Sequence, residues 1–263
     1  MPHRRAACKR AARPVYVVGL QAVLPPAENT EERKYVASYK LNIGMVRGCP
    51  SAAELATKME MLPDQDERFA VLDLHHTSTA LKCRLVRFTN QVVKGWNDRD
   101  REVEEVVVRK AESLPLLILP PKGIVEVQAG SIRSLEQVDV LLSQELGLAV
   151  TVEPIIFDVI DLLNRVRQEV QAFQLLSAAV DLFSANSYTL GVYRPKFEDT
   201  ANGLEFLEQH AEAVKAARIR FAGKTGKVTV TLAPHSAFAF SCREDDLDRT
   251  SALLRQVACG AGS

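Results

Sequence analysis

From residue 14 onward the chain alternates two kinds of hydrophobic pattern. In short runs the apolar residues fall at every second position, the period of a half-buried strand, and in others they recur every three or four, the period of an amphipathic helix. The alternation is clean in Lys227-Val228-Thr229-Val230-Thr231-Leu232, where the valines and leucine point one way and the lysine and threonines the other. Leu190-Gly191-Val192-Tyr193-Arg194 reads the same way.

Followed along the chain, these patterns predict strands at 15–20 and 35–46 and then a helix opened by Ser51, with Glu54 at the capping-box spacing and Leu55, Met59 and Leu62 as its apolar stripe. Pro63-Asp64-Gln65-Asp66 ends this opening segment, 14–67. Residues 68–148 read as two strands joined by His76-Thr77-Ser78-Thr79, a charged connection at 97–105, two strands around Pro120-Pro121-Lys122-Gly123, and a helix at 134–146 stopped by Gly147. Residues 149–172 read as a strand running into a helix at 158–170 with Asp158 as N-cap. Residues 173–258 repeat the order: strands joined by Ser184-Ala185-Asn186-Ser187, a helix at 203–217, strands joined around Ala233-Pro234-His235-Ser236, and a closing helix at 247–257 before the tail, 259–263.

The two longer segments also share sequence. Phe69-Ala70-Val71-Leu72-Asp73-Leu74 followed by Leu81-Lys82-Cys83-Arg84-Leu85-Val86 parallels Ala178-Ala179-Val180-Asp181-Leu182-Phe183 followed by Leu190-Gly191-Val192-Tyr193, about 108 residues later. Ile124-Val125-Glu126-Val127-Gln128 likewise parallels Ala237-Phe238-Ala239-Phe240-Ser241. The expected fold is therefore α+β: tandem duplicated hairpin-helix modules with antiparallel sheets and helices packed on one face. Two such modules join as one curved sheet or face each other across a cleft. Either arrangement leaves a sheet face or a junction open for binding.

Composition narrows the function classes. The chain has 263 residues, is 47% hydrophobic and 25% charged, and contains no apolar run near the roughly 20 residues that cross a bilayer. Five cysteines, odd in number and never spaced as C-x-x-C, indicate neither a disulfide framework nor a zinc knuckle and fit a reducing, cytoplasmic setting. Net charge is zero but uneven: Arg4, Arg5, Lys9, Arg10 and Arg13 make 1–13 a basic arm, with no acidic residue before Glu28. Such an arm is a phosphate contact, a targeting peptide or a solvated tail, though it lacks the apolar core of a secretory signal.

Candidate chemistry is sparse. Asp73 precedes His75 by two residues and so shares its strand face, which would allow a carboxylate–imidazole pair, with His76 on the opposite face. Asp181 matches Asp73 but has no histidine beside it, which argues for a turn role in both places. The acidic run Glu244-Asp245-Asp246 precedes an apolar helix and reads as cap and dipole complement rather than a metal site. Gly223-Lys224-Thr225 lacks the upstream glycine of a Walker loop and precedes a strand, so it reads as a turn. No metal or cofactor motif occurs, and no cysteine sits in a nucleophile context, Cys83 and Cys242 both falling in strands.

Arg218, Arg220, Lys224 and Lys227 crowd around that turn and, with the arm, suggest phosphate contact. Trp96, the sole tryptophan, is a candidate partner-binding aromatic in the long connection. The leading expectation is a non-catalytic binding protein that engages nucleic acid through a sheet surface or the groove between repeats. The alternatives are an assembly subunit that binds protein partners or its own copies, and a hydrolytic enzyme using the Asp/His pair.

Overall fold

The computed structural model describes residues 36–62, 68–97, 102–129, 133–182, 191–235 and 237–260. The basic arm, the strand expected at 15–20 and the turn expected at 184–187 lie outside these residues.

The chain opens with β1 (Val36–Arg47) and α1 (Ala52–Glu60), the latter started by Ser51, whose hydroxyl accepts the Glu54 N–H. A meander comes next: β2 (Phe69–His76), β3 (Leu81–Asn97), β4 (Glu102–Leu119) and β5 (Ile124–Val127). Between β4 and β5, Gly123 takes the left-handed conformation (φ 60°) that closes the tight Pro120–Lys122 turn. Beyond it lie α2 (Arg133–Val140, running on as one π-helical turn), β6 (Thr151–Pro154) and α3 (Val159–Glu169). The last part holds β7 (Gln174–Leu182), β8 (Gly191–Tyr193), α4 (Thr200–Gln209), β9 (Val214–Ala222), β10 (Lys227–Leu232), β11 (Ala237–Arg243) and α5 (Leu247–Cys259).

The eleven described strands form one antiparallel sheet in the order β2-β3-β4-β5-β1-β11-β10-β9-β7-β8, with β6 also on β1. The expectation of an α+β fold with antiparallel sheets holds, and the halves are joined as a continuous sheet. The seam is β1. Its N-terminal half pairs with β11 from Val36↔Arg243 to Asn42↔Ala237, β6 takes over the same edge from Gly44 to Arg47, and β5 occupies the other edge.

The helices do not share one face. Neighbouring residues of a strand point to opposite sides, and along β1 Leu41 and Ile43 join the core beneath α3, α4 and α5, whereas Val46 joins the core beneath α1 and α2. In β5, Ile124 belongs to the first core and Val125 and Val127 to the second. The sheet therefore carries α1 and α2 on one side of its first half and α3, α4 and α5 on the other side of its second half. Each half buries one face beneath its own helices, and its reverse face is open away from the seam, where α5 faces Ile124 and Glu126 of β5. The physical reason is continuity through β1, since a strand shared by two layers offers its alternate residues to both.

The expected tandem duplication is not confirmed. In the first half β3 lies between β2 and β4, whereas among the described residues β8 pairs with β7 alone, and β9 pairs with β7 on its other edge. The helix expected at 203–217 also ends early: α4 stops at Gln209, and Val214 to Ala222 is strand β9. Ala213-Val214-Lys215-Ala216-Ala217 suits a helix locally, but Val214, Ala217, Ile219 and Phe221 are buried in the core of the second half, so packing overrides propensity. The described residues of the charged connection expected at 97–105 are likewise strand, the ends of β3 and β4.

Candidate nucleic-acid interface

The uncovered face of the second half is built from alternate residues of β1, β11, β10 and β9. Pairing register sets them in rows: Lys40, Ala239, Thr231 and Arg218 in one; Ser38, Ser241, Thr229 and Arg220 in the next; Val36, Arg243, Lys227 and Ala222 in the third. Strands stand about 4.8 Å apart and same-face neighbours about 7 Å apart, so the three rows span a patch of roughly 14 by 14 Å. Small residues keep it flat, with a shallow depression of about 220 Å³ among Ser38, Lys40, Arg218 and Thr231. Beyond β9 the rows continue into Gln174 and Ser177 of β7.

The patch carries five cationic residues, Lys40, Arg218, Arg220, Lys227 and Arg243, together with four hydroxyls, and among its described residues there is no carboxylate. Ser38 and Ser241 bond to each other across β1 and β11 at 3.1 Å. Arg243 is braced by donating to the Thr225 carbonyl, which folds it over the β9–β10 turn. Asp181, the acidic residue of β7, is paired with Lys215 at 3.2 Å. The first turn of α2 borders the patch on the other side. Asn42 lies one pleat beyond Lys40, and its amide donates to Ala129 O at 3.0 Å and to Ser134 Oγ at 3.1 Å, which pins the helix start, including Arg133, above β1.

Of the basic residues singled out in the sequence, Arg218, Arg220 and Lys227 share this face. Lys224 does not: it sits in the turn, and its N–H donates to Asp246 at the start of α5, on the helix side. Asp246 is buried and also accepts from the Thr225 N–H and hydroxyl; it stands at the N-cap position of α5 but makes no side-chain cap bond there, so its carboxylate holds the hairpin rather than capping the helix as expected. A Cβ on Gly223 would lie 2.8 Å from Asp246 Oδ2, so this approach needs glycine. Sequence reasoning missed Lys40 and Arg243. The polar alternation of Ser38 and Lys40 was visible, but their pairing with β11, about 200 residues away, was not. The basic arm, Arg4, Arg5, Lys9, Arg10 and Arg13, lies outside the described residues.

Asp73 and the histidines do not form a pair. The backbone at Asp73 is left-handed (φ 51°), and a bulge between Leu72 and His75 breaks the alternation that would have put Asp73 on the face of His75. Its carboxylate instead accepts from both Nε and Nη2 of Arg84 on β3. His75 and His76 stand opposite Lys82 and Leu81, both histidines exposed. The backbone of Trp96 pairs with Val103 near the tip of the β3–β4 ribbon.

A second cluster was not anticipated. Glu126, buried in an otherwise apolar strand, faces α5, where Arg255 Nη1 stands 3.1 Å from its Oε2. Burial raises its carboxyl above the ordinary range. Arg255 pulls it back down, Asp248 pushes it up and Lys82 lowers it, with a net rise. The ion pair ties the first half of the sheet to the last helix. Cys83 is buried, and burial pushes its thiol up to about 12, the reverse of what a nucleophile needs. No group of three histidine, cysteine or acidic side chains that could hold a metal occurs among the described residues, and no described helix is long and apolar enough to cross a membrane.

No protein-family model matches the chain, and no curated protein matches it.

Proposed function

We propose that this chain is a non-catalytic binding protein that engages the phosphate backbone of nucleic acid on the open face of β1, β11, β10 and β9, in a cytoplasmic setting. One observation supports this: cations and hydroxyls from four strands converge on a flat surface with no carboxylate among its described residues. Phosphate oxygens are the natural acceptors for such donors. The face carries no aromatic side chain among its described residues, so the contacts go to phosphates rather than to stacked bases, and sequence preference is weak. A chain of zero net charge draws on few cations, so binding is modest and its salt slope is set by the few phosphates neutralised.

The test is a titration of labelled single- and double-stranded DNA and RNA at two salt concentrations. It compares the full chain, a version lacking residues 1–13, and the double substitution Arg218→Glu with Arg220→Glu. The expected outcome is salt-sensitive binding that the double substitution weakens, with the salt slope falling by roughly 0.7 to 0.9 for each phosphate no longer neutralised. Absence of binding at low salt, or binding indifferent to Arg218 and Arg220, defeats the proposal. Binding that disappears on removing 1–13 alone transfers the phosphate contact to the arm.

A further inference from the structure

The β3–β4 ribbon extends past its neighbours. β2 pairs with β3 only up to residue 87, and β5 pairs with β4 only over 116–119, yet the two long strands stay paired to Asn97↔Glu102. Residues 89–97 and 102–113 therefore form a two-stranded arm about 30 Å long that no other described strand touches. A lone pair of strands in water is marginal, and this one exposes valine on both faces: Val107 is 64% exposed, Val92 58% and Val106 48%. The outer edge of β4 offers a row of backbone donors and acceptors that no described strand pairs, the kind of edge that proteins normally shield.

The edge sequence names its occupant. Glu104-Glu105-Val106-Val107-Val108-Arg109-Lys110 runs from acidic through apolar to basic, so a reversed copy laid beside it is complementary. We propose that β4 pairs antiparallel with β4 of a second copy of this chain, centred on Val107, making a four-stranded sheet from two arms. In this register Glu105 lies opposite Arg109 of the second copy, a pair that occurs twice. Existing cross-strand pairing carries the pattern further. Val92 lies opposite Val107, so the central row becomes four valines, and the Lys94–Glu105 contact at 3.7 Å extends to Arg109 of the second copy. Opposite charges directly across a sheet favour pairing and like charges oppose it. The two-fold arrangement uses one edge of each copy, so it closes at the dimer.

The test is sedimentation equilibrium of the full chain without nucleic acid over a wide concentration range, with thermal unfolding as a check on the fold. The wild-type chain is expected to form dimers. Glu105→Arg sets two arginines against each other and Arg109→Glu two glutamates, so each alone raises the dimer dissociation constant by roughly tenfold or more. Mixing the two variants restores opposite charges in both pairs and recovers the dimer. Arg109 also covers the Phe88 ring, at 4.2 Å from its centroid, and the mixture separates disruption of that stacking from disruption of the pairing. A wild-type chain that stays monomeric, a dimer insensitive to both substitutions, a mixture that remains monomeric, or mass that grows beyond the dimer overturns the proposal.

Discussion

At Asp246 a single carboxylate ties two pieces of chain together. It accepts from Lys224 N–H, Thr225 N–H and Thr225 hydroxyl and lies at the start of α5, so the β9–β10 turn is held against the closing helix. Burial alone would raise its pKa, but the Thr225 hydroxyl, the two N–H donors and the charge of Arg249 outweigh burial and hold it below the ordinary carboxylate range. A lowered folded pKa contributes stability that is complete above the unfolded value and lost as pH falls through the folded one. Asp246→Asn should therefore cost about 2 kcal/mol at neutral pH, and the deficit should shrink in strong acid as pH falls through the lowered folded value. Urea unfolding of both proteins at neutral pH and in strong acid measures it; a deficit that persists in acid would mean that packing, not charge, is lost.

Among the elements, α3 has the most local origin. Asp158 accepts from Ile160 N–H and Asp161 N–H at 2.8 and 2.9 Å, while Leu162, Leu163 and Val166 supply its buried face. Asp158→Ala should cost about 1 kcal/mol in urea unfolding, and replacement by Ser should recover most of it, because a hydroxyl accepts the same N–H groups. β9 is the opposite case. Its alanine-rich start would continue α4, and it is a strand because β7 and β10 on its two edges satisfy its backbone while the core takes Ala217, Ile219 and Phe221.

For the whole molecule, the contact between the first sheet half and the last helix rests on Glu126 and Arg255. A glutamate whose folded pKa is raised adds stability that is complete below its unfolded value and lost as pH rises through the folded one. Removing its cation raises that pKa further. Arg255→Met should destabilise the protein by about 3 kcal/mol at neutral pH, since it strands a buried carboxylate. The deficit should shrink on acidification as Glu126 takes up its proton. Chemical unfolding across pH reads this directly, and a deficit that stays constant with pH would assign the role of Arg255 to its aliphatic stem.

Period and punctuation were enough to foresee β1, α1, α2, α3 and α5, because apolar spacing, the Ser51 and Asp158 caps and Gly147 act within a few residues. The same local signals marked Arg218, Arg220 and Lys227 as basic residues around a turn. They could not set Lys40 in one row with Arg218, break the alignment of Asp73 with His75 through a bulge, or assign helices to opposite faces of one sheet. The first and last of these depend on β1 pairing with β11 and β5, contacts about 80 to 200 residues apart in the chain, and the bulge depends on how β2 meets β3. Sheet pairing is a competition among all strands for edges, and its outcome is decided when two cores close on alternate residues of a shared strand.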